Sequence, residues 1–204
     1  LALACDWIAA SPKASFGFPE TGIGIYPGLG GTQRLPRRVG LPLAKWLVFT
    51  GQTVGASLAL EMGLCDGVAD FENLDSACAN LAKRGGLEHR IAPQSPTSEA
   101  FSSLWEFFEQ NSVEKILSGE ADTMGDDRRE KAVKKMQQKS ANALFQAERL
   151  LDEGKDLSLG KALALELRDL EEVFSHPDAL EGLAALIEGR RPHFQEPATA
   201  FTRH

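Results

Sequence analysis

The chain has 204 residues, 43% of them hydrophobic and 25% charged, a composition that supplies a sizeable core and excludes disorder as the main state. No stretch approaches the roughly 18 consecutive apolar residues of a membrane-spanning helix, so such a helix is excluded. The formal charge of −7, from 22 Lys and Arg against 29 Asp and Glu, argues against nucleic acid as a partner, because phosphate binding needs a basic surface.

The chain begins with short strand-like and helix-like segments. Leu1–Cys5 is apolar and is predicted to be the tail of a buried helix. It has neither the basic region nor the cleavage site of a signal peptide, so we expect the sequence to begin inside a longer protein. Strands are predicted at Asp6–Ala10 and at Ser15–Phe18, the second because its residues alternate after a Pro-Lys turn.

A glycine-rich loop and a series of helices follow. Pro19–Gly31 contains five glycines and two prolines in thirteen residues, which predicts a loop whose backbone can come close to a ligand or another segment. Pro42 suits a first helical turn, and Gly63 suits a helix end. The apolar spacing predicts two helices, a shorter helix, a returning strand and a further helix: Thr32–Val39, Leu41–Thr50, Val54–Met62, Leu64–Ala69 and Leu74–Lys83.

The composition changes after Gly86. Glu88–Glu99 is polar and contains two prolines, as a linker would, and nearly everything after it has helical periodicity. We interpret the apolar stripes of these helices as core or subunit contacts and not as cofactor sites. Their members are Leu104, Trp105, Phe108, Val113, Ile116 and Leu117, then Leu144, Ala147 and Leu151, then Leu163, Leu167, Leu170 and Phe174, and finally Leu180, Leu183 and Ile187.

The cysteines and histidines indicate neither a disulfide framework nor a metal site. Cys5, Cys65 and Cys78 are an odd number without a CxxC pair, which favours free, buried thiols in a reducing compartment. His89, His176 and His204 have no helical partner at the spacing of metal ligands, so no metal site is expected.

Glu20 is the most reactive candidate in the glycine-rich loop. It follows an aromatic strand and a proline and has apolar neighbours, so burial is expected to raise its pKa by disfavouring the charged form. Such a carboxyl group can donate and accept protons near neutral pH. Gly30–Thr32 opens a helix whose N-terminus can polarise water or an oxyanion. From these residues alone, a second interpretation stays open, in which Glu20 caps a turn and the glycines only shape a loop.

The run PETGIGIYPGLGGTQRLPRRVG, with the FTG and GASLALEMGLCD segments that follow it, resembles the crotonase superfamily of enoyl-CoA hydratases and isomerases. In that family a Pro-Glu ends a strand, a P-G-x-G-G-T-Q-R-L segment follows, and a helix then ends in L-T-G. The resemblance covers about residues 1–80 well and residues 140–195 more loosely. It implies an α/β fold, a crotonase-like ββα spiral followed by C-terminal helices, whose N-terminal part is missing from this sequence.

The resemblance implies catalytic roles within the loop. Glu20 matches the second of the hydratase's two catalytic glutamates, which exchanges a proton with the α-carbon of the substrate. Gly28 matches the glycine whose backbone N–H helps to hold the attacking water. The first glutamate would fall just before Leu1, and the donors that polarise the thioester carbonyl also lie upstream, so an isolated fragment is expected to be inactive. Substrate contacts are implied for Pro19, Pro27 and Leu29.

The resemblance also implies an acyl-CoA thioester as substrate and no separate cofactor. The segment from Arg190 to Phe194 is similar to the family's terminal segment, where basic and aromatic residues approach the CoA adenine. Its implied CoA-binding residues are Arg190, Arg191 and Phe194. The alternative is an ordinary charged helix end that interacts with the helix dipole. Contact with CoA phosphates, or a plain solvated surface, stays open for Arg34, Arg37 and Arg38.

Assembly and organisation follow from the same resemblance. The C-terminal helices are implied to form a homotrimer or a hexamer of two trimers. The expected divisions are 1–87 for the C-terminal part of the spiral core, 88–139 for a helical insertion or linker, and 140–204 for the oligomerisation helices. A dehydrogenase domain fused upstream also fits, as does a location in the bacterial cytoplasm or the mitochondrial matrix.

Several branches of the superfamily fit these residues. Hydration of a 2-enoyl-CoA needs both glutamates, whereas an enoyl-CoA isomerase needs mainly the one that matches Glu20. The 3-hydroxyisobutyryl-CoA hydrolases have an aspartate where Gly28 stands, although they also carry extra helices like those of 88–139. We favour a hydratase, because the chemistry depends on the active-site residue more than on the insertion. A non-catalytic homologue that binds acyl-CoA or a partner is the alternative.

Overall fold

The structure is a computed structural model that describes residues 1–85 and 92–195. Gly86, His89 and part of the predicted linker at 88–99 lie outside the described residues, as does the end of the chain after Gln195. The strands are β1 (Ala9–Ala10), β2 (Ser15–Phe16), β3 (Val54–Gly55) and β4 (Gly67–Val68). The helices are α1 (Gly31–Val39), α2 (Leu41–Thr50), α3 (Ala56–Glu61), α4 (Leu74–Ala82), α5 (Ser102–Gln110), α6 (Val113–Ser118), α7 (Asp127–Met136), α8 (Ala141–Gly154), α9 (Leu159–Arg168), α10 (Leu170–Ser175) and α11 (Pro177–Glu188). Short 3-10 turns cover Ala2–Ala4, Glu20–Ile23, Phe71–Asn73 and Glu99–Phe101.

The four strands form two separate pairs, and each pair joins a strand that precedes the glycine-rich loop to one that follows it. β1 pairs in parallel with β4, with Ala9 opposite Gly67. β2 pairs antiparallel with β3, with Ser15 opposite Gly55. The three predicted strands are therefore present but shorter than expected, and β2 delivers the chain directly into the turn that carries Glu20.

Helix α2 is the centre of the core and has the predicted bounds. Every residue from Pro42 to Thr50 is buried, because α1, α5, α7 and α8 pack around it. Pro42 lies in the first turn, and Gly51 ends the helix in the left-handed conformation with φ 62°. The enclosed helix gives the Glu20 turn a firm support.

Helices α5–α7 share this core. The Phe49 ring of α2 lies 6.2 Å from the Phe108 ring of α5, measured between centroids. Val113 and Ile116 of α6 are also buried in the same cluster. Residues 92–98 of the predicted linker contain neither helix nor strand, and its last residue, Glu99, begins a 3-10 turn. The helices that follow this stretch therefore pack onto the first part of the chain.

Two predicted elements differ in the structure. Leu1–Cys5 contains a 3-10 turn and not a buried helix tail, and Leu1 is 94% exposed because no described residue covers it. The predicted helix Val54–Met62 begins two residues later, since Val54–Gly55 forms β3. Val54 is β-branched and lies beside an available strand, so pairing with β2 outweighs a helical extension.

The three cysteines are all free, but the prediction that they are buried was wrong for two of them. Cys5 and Cys78 are exposed, and Cys65 is buried. Cys5 follows the exposed first turn, and α4, which carries Cys78, buries only Leu81. Burial raises the pKa of the Cys65 thiol, so that thiol is held in its neutral form.

The apolar stripes of the C-terminal helices divide into core and surface. The α8 stripe is completely buried, as predicted, and comprises Leu144, Ala147 and Leu151. Leu167 is 61% exposed, because the stripe to which it belongs spans two helices: α9 ends at Arg168, and α10 begins at Leu170. Ile187 of α11 is 87% exposed. A core role is therefore wrong for these exposed positions, and subunit contact stays a prediction.

None of the helices in residues 1–85 and 92–195 has the length and apolar character needed to cross a membrane. The same residues contain no group of three or more His, Cys, Asp or Glu side chains that could hold a metal ion.

Candidate active site

Glu20 lies on the wall of a cavity of about 330 Å³ between the first strands and the glycine-rich loop. Glu20 is the only titratable side chain among the described residues that line it. The apolar part of the wall comprises Leu3, Ile8, Phe16, Phe18 and Leu64. Across from these side chains the loop contributes Pro27, Gly28 and Leu29. The cavity thus combines apolar side chains, the Ser15 side chain, backbone and one carboxyl group.

The Glu20 carboxyl group is held in an environment that disfavours its charge. The residue begins the 3-10 turn after Pro19 and is half-buried. Its Oε2 atom is buried and has no hydrogen-bond partner among the described residues. Burial raises the pKa of Glu20, and a hydrogen bond from its own backbone N–H offsets this only partly. A protonated carboxyl group near neutral pH is what proton donation to carbon requires.

Hydrogen bonds from neighbouring helices hold the turn that carries Glu20. The Thr21 hydroxyl donates to the Val48 carbonyl of α2 at 3.0 Å. The Thr21 carbonyl in turn accepts from the Ser140 N–H at 3.1 Å, where α8 begins. The Ser140 hydroxyl donates to the carboxylate of Asp178 in α11 at 2.6 Å. Three helices therefore hold the backbone of the residue next to Glu20.

Gly24 closes the turn in direct contact with α11. It adopts the left-handed conformation with φ 81°. A Cβ atom at Gly24 would lie 2.3 Å from the Asp178 carbonyl oxygen, and one at Gly182 would lie 2.3 Å from the Ile23 carbonyl oxygen. Such distances are possible only for glycine, so the two backbones touch. The motif thus needs a glycine here for close packing.

Gly28 and Leu29 present backbone to the cavity. A Cβ at Gly28 would meet nothing within 4 Å, so open space, and not packing, surrounds this position. The Gly28 N–H donates to no acceptor within residues 1–85 and 92–195. Leu29 has φ 56°, uncommon for a residue with a side chain, and is 80% exposed. Pro27 also lines the cavity, whereas Pro19 is exposed and lies beside it.

The N-terminus of α1 is not free to bind a ligand, contrary to the prediction from Gly30–Thr32. The buried Glu166 carboxylate of α9 accepts hydrogen bonds from the Gly30 N–H at 2.7 Å and from the Thr32 N–H at 3.2 Å. The Thr32 hydroxyl donates to the same carboxylate at 2.5 Å. A carboxylate is the anion that a helix N-terminus favours, and here the protein supplies it.

Two of the three arginines after the loop are committed to the fold. Arg38 is buried and forms an ion pair with Asp66 at 2.6 Å. Arg37 donates to the Gly154 carbonyl at the end of α8 at 2.9 Å. The solvated-surface interpretation is wrong for both, because their guanidinium groups bind other parts of the chain. Arg34 keeps a buried Nε without a described partner, and its contact with CoA stays a prediction.

The predicted CoA-binding segment lies outside the Glu20 cavity. Arg190 lines a separate open cavity of about 370 Å³ beside the start of α11. It forms ion pairs with Glu181 and Glu188, both at 2.5 Å. The Arg190 guanidinium lowers the pKa of Glu181 to about 2. Arg191 is exposed and Phe194 is half-buried, and a role in CoA binding stays a prediction for the segment.

A larger cleft of about 720 Å³ lies between α2, α5 and the end of α8, and its buried lysine, Lys45, is paired with carboxylates. Lys45 lies 2.9 Å from Asp152 and 3.8 Å from Glu148. The Glu148 carboxylate also accepts from the Val113 N–H at 2.9 Å. The Glu20 cavity is therefore the better candidate for an active site, because it combines an unpartnered carboxyl oxygen with available backbone.

Comparison with known proteins identifies the family. The family model for enoyl-CoA hydratase/isomerase matches residues 1–202. The chain belongs to the enoyl-CoA hydratase/isomerase family. It is 51% identical over 83 residues to the short-chain-enoyl-CoA hydratase of Clostridioides difficile, a match that covers 41% of this chain and 54% of that protein. It is 30% identical over 195 residues to the probable mitochondrial enoyl-CoA hydratase 2 of Arabidopsis thaliana, covering 94% of this chain and 47% of that protein.

The enoyl-CoA hydratase/isomerase chain also shares its fold with a solved structure. The crystal structure of an enoyl-CoA hydratase from Rhodobacter sphaeroides 2.4.1 superposes with a TM-score of 0.75 at 23% identity. The match covers 96% of this chain and 58% of that one. The predicted crotonase-like fold and family are thereby confirmed. The chain spans about half the length of the curated relatives that it matches.

Sequence reasoning missed Glu166 and the contact between α11 and the Glu20 turn. Glu166 binds a helix that is 134 residues away in sequence, and no local pattern encodes such a pairing. One signal was present: Glu166 lies three residues after Leu163 on an apolar stripe. A carboxylate buried on such a face must accept hydrogen bonds, so its position on the stripe predicts a structural partner.

Proposed function

We propose that this chain forms the part of an enoyl-CoA hydratase that protonates the α-carbon while water adds across the double bond of a 2-enoyl-CoA. The proposal depends on one observation: the buried Oε2 of Glu20, which has no partner among the described residues, in the wall of a cavity. Its raised pKa and the nearby Gly28 backbone support the same chemistry. The names of two hydratase relatives agree with it.

In this reaction Glu20 acts in its protonated form. The oxygen of a water molecule bonds to the β-carbon, the Glu20 proton passes to the α-carbon, and a second base accepts a proton from the water. The Gly28 N–H, which has no described acceptor, holds the water in place. The family resemblance assigns the second base to the residue just before Leu1. The complete reaction therefore belongs to the full-length protein.

The test measures hydration of crotonyl-CoA by the full-length protein, from the loss of absorbance of the conjugated thioester. We expect Glu20→Gln to lower kcat by about 10²–10⁴-fold, the usual contribution of a general acid. Glu72→Gln removes an exposed carboxylate of the same type and should leave the rate unchanged. An active wild type whose Glu20→Gln variant keeps more than about a tenth of the rate would refute the assignment.

Isomerisation is the second candidate, because Glu20 is the only titratable side chain among the described residues of the cavity wall. One carboxylate suffices to move a proton between two carbons of a 3-enoyl-CoA. The same assay with that substrate would then show a gain of conjugated thioester. Activity on the 3-enoyl-CoA without hydration of crotonyl-CoA would decide for isomerisation, and no activity on either would favour a non-catalytic homologue.

The exposed apolar side chains of the C-terminal helices support assembly as a homotrimer or a hexamer. Leu180, Leu186 and Ile187 of α11 are 60%, 63% and 87% exposed, an unfavourable arrangement for a helix in water. Light scattering on the full-length protein should give at least three times the protomer mass. We place the enzyme in a bacterial cytoplasm or a mitochondrial matrix, since relatives of both origins match.

A further inference from the structure

Glu166 is a buried carboxylate that the proposed reaction does not use directly. It lies in α9, and only 1% of its surface is exposed. Both carboxylate oxygens are occupied: Oε1 accepts from the Gly30 N–H at 2.7 Å, and Oε2 accepts from the Thr32 N–H and hydroxyl at 3.2 and 2.5 Å. The Thr32 hydroxyl also accepts from Gln33 Nε2 at 3.0 Å. Hydrogen bonds to a charged acceptor are the stronger kind.

The same residue also binds the other end of the loop. The Tyr26 hydroxyl donates to the Glu166 backbone carbonyl at 2.7 Å, and Tyr26 is buried. Tyr26 and Gly30 therefore both attach to one residue of α9. The three residues between them are Pro27, Gly28 and Leu29, all of which line the Glu20 cavity.

The conformation of the loop needs such an anchor. Leu29 and Gly30 both adopt the left-handed region, with φ 56° and 81°, and Leu29 pays a steric cost there. A non-glycine residue stays in this region only when the surroundings impose it. The side chain of Leu163, one turn before Glu166, packs against Gly30, since a Cβ there would lie 2.7 Å from the Leu163 Cδ2 atom. Helix α9 therefore imposes the loop conformation both by contact and by hydrogen bonding.

We propose that Glu166 is the positioning residue that holds residues 26–30 so that the Gly28 N–H faces the reacting water beside Glu20. The inference rests on the proposed hydratase function for its kinetic consequence. Its structural consequence, a loop anchored by the Glu166 carboxylate, can be measured without any activity.

The kinetic test compares Glu166→Gln with wild type in the full-length protein, using crotonyl-CoA. Glutamine keeps the size but replaces one acceptor oxygen by an NH₂ group, which meets the N–H of Gly30 or Thr32 donor to donor. We expect kcat to fall about 10- to 100-fold with KM within about 3-fold, because displacement of a positioned group by about 1 Å has this scale of effect. Glu171→Gln, an exposed charge loss on α10, should behave as wild type.

Amide hydrogen exchange gives the readout that is independent of activity. In Glu166→Gln, exchange should accelerate in a peptide that covers residues 26–32, while a peptide within α2 keeps its wild-type rate. Wild-type kcat together with wild-type exchange in 26–32 would overturn the role of Glu166. Equal acceleration in both peptides would also overturn it, because the residue would then stabilise the whole fold and not the loop. An inactive wild type would instead overturn the hydratase assignment, and exchange alone would decide on Glu166.

Thr32 provides a second pair of variants if Glu166→Gln does not fold. Thr32→Val removes one of the three hydrogen bonds to Glu166, and Thr32→Ser keeps the hydroxyl. We expect Thr32→Val to lower kcat about 3- to 10-fold and to accelerate exchange in 26–32, and Thr32→Ser to restore both towards wild type. Equal behaviour of the two variants would contradict the positioning role.

Discussion

Two carboxyl groups lie at opposite ends of the glycine-rich loop and have opposite surroundings. Glu20 begins the turn at the cavity, is half-buried, and leaves its Oε2 without a partner among the described residues. Glu166 reaches the start of α1, is 1% exposed, and accepts three hydrogen bonds. The more deeply buried carboxylate is thus the better satisfied one. Depth alone does not distinguish a reactive group from a structural one.

The difference lies in the donors that the fold brings to each group. Removing a carboxylate from water costs free energy, which hydrogen bonds to the charged form can offset. At Glu166 two backbone N–H groups and a hydroxyl provide this compensation, so the group serves the fold. At Glu20 burial without such donors raises the pKa, so the protonated form is favoured more than it is in water.

The largest expected effect comes from disrupting the close packing between the Glu20 turn and α11. Gly24→Ala places a methyl group 2.3 Å from the Asp178 carbonyl at a φ of 81°. The left-handed strain and the overpacking together should lower the free energy of unfolding by about 2–4 kcal/mol. Urea denaturation of the full-length protein measures the change.

Gly28→Ala is the matched control for Gly24→Ala. Its methyl group enters open space, since nothing lies within 4 Å of that position. The free energy of unfolding should therefore change by less than about 0.5 kcal/mol. The methyl group should still lower kcat, because it occupies part of the space proposed for the reacting water. Equal destabilisation by both substitutions would show that close packing is not what the Glu20 turn requires of Gly24.

A smaller effect concerns how the free energy of unfolding depends on pH through Glu20. The folded state binds the Glu20 proton more tightly than the unfolded chain does, because burial raises the pKa of Glu20. Stability is then lost as the pH rises through the folded-state pKa. Glu20→Gln does not titrate, so the difference in free energy of unfolding between the variant and wild type should shift in favour of the variant as the pH rises from the ordinary carboxyl pKa through the raised one. A constant difference over this range in urea denaturation would contradict the prediction.

The sequence allowed the first half of this comparison to be predicted but not the second. Glu20 was identified from its apolar neighbours and from the family resemblance, and the bounds of α2 followed from the apolar spacing and from Pro42. These features are local, because capping and strand-end chemistry act within a few residues. Glu166 acts on Thr32 over 134 residues, and its role depends on how α9 packs against α1, which no local pattern specifies.

The smallest expected effect concerns Glu181, a half-buried carboxylate that has several partners. Glu181 accepts from Arg190 at 2.5 Å and from the His193 N–H at 2.8 Å, and these bonds lower its pKa to about 2. Above the ordinary carboxyl pKa this contribution favours the fold, and it is lost only as the pH falls towards 2. Because water and salt screen a partly exposed pair, Arg190→Ala should leave the urea midpoint at neutral pH unchanged.

The same substitution decides whether Arg190 serves the substrate. Since Glu181 and Glu188 already bind its guanidinium, we expect KM for crotonyl-CoA to change by less than about 2-fold. Glu181→Gln is the control, because it releases Arg190 without removing its charge. A marked rise of KM in Arg190→Ala alone would assign Arg190 to the CoA moiety, as the family resemblance implies. With no such rise, the partners of Glu181 would serve only local structure, and among Glu20, Glu166 and Glu181 it is Glu20 that would remain the one with an oxygen that lacks a partner among the described residues.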